Sequence, residues 1–63
     1  MSIIEQVMHN LQKISENNAY IVEKELPQVG KGNKAARTRV RKMLRDVRDY
    51  AEETRKLLLI IVN

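Results

Sequence analysis

The chain has 63 residues, with 12 Lys/Arg against 8 Asp/Glu for a net charge of +4, no Cys, one Pro, two Gly and two aromatic residues, both Tyr. That length supports one small domain, cannot enclose a deep pocket and tends to need a partner surface to complete its core, which argues against an enzyme. The lack of Cys excludes a disulfide framework, a thiolate metal site and a cysteine nucleophile, and the single His9 has no companions for a metal; neither cofactor nor small-molecule substrate is expected.

The first predicted element is a helix over residues 3–25. Ser2 and Glu5 have the spacing of a capping box, and Ile4, Val7, Leu11, Ile14, Asn18 and Ile21 follow at alternating steps of three and four, with Met8 and Val22 widening the stripe. Asn18 interrupts that stripe, either as a partly wet position or as a buried residue that fixes register. Residues 26–32 hold the only Pro and both Gly, and read as the single loop. The second element is a long helix over residues 33–62, with Asn33 as N-cap. Its seam of Ala36, Val40, Met43, Val47, Tyr50, Thr54, Leu57 and Ile61 keeps a strict four–three rhythm, flanked by Leu44, Ala51 and Leu58.

The expected fold is therefore all-α: one domain over residues 1–63, an antiparallel helical hairpin that dimerises into a four-helix bundle. The expected interface is Ile4, Val7, Leu11, Ile14, Val40, Met43, Val47, Tyr50, Leu57, Leu58 and Ile61. The run at residues 57–62 is apolar on every side of the helix, which calls for a covering surface. It is far short of the roughly 20 residues that span a bilayer. With no basic, apolar leader at the start, a cytoplasmic protein is expected.

Charge is unevenly placed. Residues 1–30 hold two cations against four acids, and residues 31–63 hold ten against four; the stretch 31–45 carries seven cations and no acid. On the second helix Lys34, Arg37, Arg41, Arg45, Arg48 and Arg55 share one ridge, about 31 Å long at about 1.5 Å per residue and close to one turn of B-DNA, about 34 Å. The like charges Arg37, Arg41 and Arg45 sit four residues apart, at a cost of about 0.2–0.5 kcal/mol per pair, which an anion would relieve. A face kept for solubility interleaves signs, as the opposite flank does with Arg39, Lys42, Asp46, Asp49, Glu53 and Lys56. Arg predominates, and its planar fork suits phosphate oxygens. Lys31 and Lys34 flank the start of the helix, whose free N–H groups suit a phosphate.

Other features carry less. No aromatic lies near the Arg cluster to stack single-stranded bases, and no Asn or Gln stands among the ridge residues to read base edges. Lys31-Gly32-Asn33-Lys34 is no nucleotide-binding loop. Tyr50 reads as core, Tyr20 and His9 as surface, and Glu23 and Glu25 as surface charges. Asp46, Asp49, Glu52 and Glu53 read as helix-surface partners of Arg45, Arg48 and Lys56.

The blocks Lys31-Gly32-Asn33-Lys34-Ala35-Ala36, Arg39-Val40-Arg41 and Arg55-Lys56 resemble the bacterial histone H1-like nucleoprotein family, whose chlamydial and Bacteroidetes members carry G-N-K-A-A, then R-V-R or R-A-R, then R-K. The resemblance spans residues 31–56. It implies a small helical protein that associates with DNA and compacts the nucleoid, and it marks Lys34, Arg39, Arg41, Arg55 and Lys56 as shared basic positions. Members of that family commonly continue into a Lys/Ala-rich tail. Here residues 57–63 are apolar up to a final Asn63, so the hairpin is expected to bind through its own ridge, doubled by dimerisation. The expected function is non-sequence-specific binding of double-stranded DNA through phosphates, with Lys31, Lys34, Arg37, Arg39, Arg41, Lys42, Arg45, Arg48, Arg55 and Lys56 as contacts. A hairpin that regulates a partner protein and a binder of structured RNA are the other readings; a membrane-surface role lacks the interfacial aromatics.

Overall fold

The structure, a computed structural model, describes residues 2–61. The expectations for Val62 and Asn63 lie outside the described residues, as does Met1; the second helix, expected to reach residue 62, ends at Ile60, where Ile61 turns extended. The chain is an antiparallel helical hairpin, and the described residues contain no strand. Its first arm comprises α1 (Ile3–Tyr20), a wide π-helical turn (Ile21–Glu25) and α2 (Leu26–Gly30); its second arm is α3 (Lys34–Ile60). The molecule measures 49 × 16 × 15 Å, with a Cα radius of gyration of 14.5 Å against about 11 Å for a compact domain of this length.

Local chemistry sets the boundaries. The Ser2 hydroxyl accepts from the Glu5 N–H at 3.1 Å, and the Glu5 carboxylate accepts from the Ser2 N–H, closing the capping box that starts α1. The Asn33 side chain accepts from the Ala36 N–H at 3.0 Å and caps α3.

The expected loop over residues 26–32 is mostly helix. The first arm runs on through Pro27 to Gly30, and the reversal takes only Lys31, Gly32 and Asn33. In a regular α-helix the Pro27 ring would clash with the carbonyl four residues back, and Pro27 offers no N–H. The π turn just before it relieves this conflict: the Leu26 N–H bonds to the Ile21 carbonyl, five residues back. The arm closes with the Asn33 N–H on the Gln28 carbonyl at 3.1 Å and the Gly32 N–H on the Val29 carbonyl at 2.9 Å, the Schellman pattern. Gly32 takes φ +85°, the only positive φ among the described residues.

The α3 seam faces inward as its spacing predicts, with Ala36 and Thr54 buried and Val40, Met43, Val47, Tyr50, Leu57 and Ile61 half-buried. The inward stripe of the first arm differs from expectation. Val7, Ile14 and Ile21 face α3, but alongside them stand Ile3, Asn10 and Asn17, whereas Ile4, Leu11 and Asn18 are exposed. Asn18 is thus a wet position, and the buried polar residue is Asn10, with no hydrogen-bond partner for its Nδ2. The apolar arc of α1 is wider than one neighbouring helix can cover, so the hairpin covers one edge of it and leaves the other open.

Candidate nucleic-acid interface

The ridge lies on the side of α3 turned away from the first arm. Lys34, Arg37, Arg41, Arg45, Arg48 and Arg55 fall roughly 110–190° around the helix from the seam, at 100° per residue, and all are exposed. Lys31, Lys42 and Lys56 are exposed as well.

Ion pairing divides these cations. Among the described residues the carboxylate–cation contacts within 4.0 Å are Lys13–Glu16, Arg39–Glu25 and Arg48–Asp49. Lys31, Lys34, Arg37, Arg41, Lys42, Arg45, Arg55 and Lys56 therefore meet no carboxylate of the described residues. Arg48 lies 3.6 Å from the Asp49 side chain next to it in sequence, an exposed contact of little energetic weight. The expected pairing of Asp46, Glu52 and Glu53 with Arg45, Arg48 and Lys56 does not form within that distance.

Arg39 stands apart from the ridge, on the opposite flank of α3. Its Nε donates to Glu25 Oε2 at 2.6 Å and its Nη2 to Glu25 Oε1 at 3.2 Å, a two-pronged bond between the arms. The Glu25 side chain is 5% exposed and that of Arg39 53%. Glu25 is thus a buried anion and not the surface charge expected from sequence; the π turn and the continued helix carry it to the inner face. Donation of these hydrogen bonds to the Glu25 carboxylate raises the Arg39 guanidinium above its ordinary range, opposed by desolvation and helped by the negative charge of Glu25. Sequence reasoning missed this pair because it placed Glu25 at the edge of a loop.

Several expected interface residues, Val7, Ile14, Val40, Met43, Val47, Tyr50 and Leu57, line the contact between the two arms. Ile4, Leu11 and Leu58 are each more than half exposed, together with Met8 and, at half, Leu44. The α1 and α3 residues of this group are displaced from their seams in the same rotational sense. Because the arms run antiparallel, both sets fall on one side of the hairpin. The opposite side carries Tyr20, Arg39, Asp46, Tyr50 and Glu53.

No described helix is long and apolar enough to cross a membrane, and no cluster of three or more His, Cys, Asp or Glu among the described residues could hold a metal ion. Residues 8–63 match the model of the family described as Histone H1-like protein Hc1. No curated protein and no solved structure matches the chain.

Proposed function

Since the chain belongs to the Histone H1-like protein Hc1 family, a DNA-binding structural family associated with the nucleoid, we propose that it binds double-stranded DNA without sequence preference, through phosphate contacts from the back of α3. The observation that carries this reading is the row Lys34, Arg37, Arg41 and Arg45, exposed and, among the described residues, without a carboxylate partner. Binding of this kind draws its free energy from counterion release, with log K falling by about 0.9 per phosphate neutralised for each decade of salt. The row offers guanidinium and ammonium donors but no amide side chain suited to base edges, so affinity follows charge density and not sequence.

Two copies of the hairpin pair in this reading. The accessible surface of 5101 Å² exceeds the roughly 4,200 Å² expected for a folded chain of 7.4 kDa by about 900 Å². That excess is close to one partner's share, about 800 Å², of a standard protein interface. The open apolar side with Ile4, Leu11, Leu44 and Leu58 is the surface that a second hairpin would cover, giving a four-helix bundle with an Arg row on each α3.

A gel shift with two unrelated duplexes, a structured RNA and heparin, each at two salt concentrations, tests the reading. Equal retardation of both duplexes, lost steeply at the higher salt, is expected. Failure to shift any polyanion would reject it and leave the apolar side, and with it a protein partner, as the functional surface. A clear preference for the RNA over both duplexes would replace DNA as the target.

A further inference from the structure

The ridge is not electrically uniform, although its geometry is continuous. Residues 31–45 carry seven cations and no acid; Arg39 among them is taken up by Glu25, which leaves six. Residues 46–63 carry Arg48, Arg55 and Lys56 against Asp46, Asp49, Glu52 and Glu53, a net charge of −1. A phosphate approaching the second half of α3 meets as much repulsion as attraction, within the roughly 8–10 Å over which charges act at ordinary salt.

Shape follows the same division. Thr38, Arg41, Lys42 and Arg45 stand at i, i+3, i+4 and i+7, the diamond of neighbours on one helix face, and line a shallow depression of about 360 Å³ on the back of α3. Thr38 heads the diamond with a short side chain, and its hydroxyl is turned onto the Lys34 carbonyl at 3.2 Å, so the floor stays open between the three cations. Farther along, the two depressions that Arg55 lines also contain Glu52.

We infer that the Thr38–Arg41–Lys42–Arg45 diamond is the phosphate-anchoring subsite of α3, and that Arg48, Arg55 and Lys56 contribute little. This rests on the DNA-binding reading above and sharpens it: the ligand is a backbone phosphodiester, and the footprint is the first three turns of α3, about 18 Å from residue 34 to 45, in place of the whole ridge. Arg41 and Lys42 flank the phosphate from either side, Arg45 closes the far end, and Lys34 and Arg37 extend the field one turn toward the hairpin tip.

Charge-matched variants decide it. Arg41→Ala/Lys42→Ala/Arg45→Ala and Arg48→Ala/Arg55→Ala/Lys56→Ala each remove three positive charges from exposed positions of one helix. Their folds are compared by circular dichroism, with the corresponding Gln triples made should either Ala triple lose helicity. Duplex DNA affinity is then measured across a salt series. The first triple is expected to flatten the slope of log K against log salt by about 2.7, three phosphates at about 0.9 each, and the second by less than one such step. Equal flattening by the two triples, or a larger effect from the second, overturns the subsite while leaving DNA binding in place. A wild-type chain that does not bind duplex DNA at all overturns the parent reading and the subsite with it.

Discussion

Arg39 closes over the buried carboxylate of Glu25 with two hydrogen bonds, 2.6 Å and 3.2 Å long, and so ties the α3 helix to the π turn of the other arm. Fourteen residues separate the two in sequence, and the turn at Gly32 lies midway between them. Burial of Glu25 is tolerable because the guanidinium fork satisfies both of its oxygens.

Removing one partner strands the other. Arg39→Ala leaves Glu25 buried and unpaired and is expected to lower the melting temperature clearly; Arg39→Lys, with a point charge in place of a fork, restores only part of it. Replacing both residues, Glu25→Leu with Arg39→Leu, returns stability toward wild type. A thermal melt followed by circular dichroism at 222 nm reads all four proteins. Additive losses in the double variant would show that the pair is not coupled.

The two glycines should respond with opposite signs. Gly30 ends a helix with open space where a Cβ would go, so Gly30→Ala stabilises by about 0.5–1 kcal/mol. Gly32 has the same open space but a φ of +85°, so Gly32→Ala costs about 1 kcal/mol. Urea midpoints measured on the two variants should move apart; a shift in the same direction would contradict the turn geometry.

Asn10 is 5% exposed and its Nδ2 has no partner, whereas Thr54, also buried on α3, has donated its hydroxyl to the Tyr50 carbonyl at 2.7 Å. Asn10→Leu removes an unsatisfied donor and adds apolar contact, and should stabilise the hairpin by about 1–3 kcal/mol. A loss of stability in the same melt would mean that the Asn10 amide is engaged.

Association is tested on the open apolar side. Leu57 faces the first arm, so Leu57→Asp would disturb the hairpin itself, whereas Leu11→Asp and Leu58→Asp alter exposed positions. Each should halve the mass found by sedimentation equilibrium while helicity persists. An unchanged mass in both would remove this side as the dimer interface.

The α3 seam was legible in the sequence because its strict four–three rhythm admits a single inward direction. The first arm was less so. Ile4–Leu11 and Ile3–Asn10 are equally good partners for the shared line Val7, Ile14 and Ile21, and hydrophobicity favours the edge that the hairpin leaves open. The Pro27 and Gly30 signals suggested a loop, yet a π turn absorbs the proline, and Gly30 sits in the last turn of the helix that Gly32 terminates. A wide turn has no simple residue signature, and without it Glu25 reads as a surface charge. The cationic row was fully visible, because charge and helical spacing alone define it. The separate role of Arg39 was not, since it depends on a contact with the opposite arm.

The most direct test of the central claim, that the free cations of α3 hold duplex phosphates, is fluorescence anisotropy of the wild-type chain with two duplexes of unrelated sequence over a salt series. The expected result is one common Kd at each salt concentration and a slope of log K against log salt between about −3 and −5.4 for each hairpin engaged, the latter the most that Lys31 and the five free cations of residues 34–45 permit at about 0.9 each. An affinity that is indifferent to salt, or that differs widely between the two duplexes at the same salt, would contradict it.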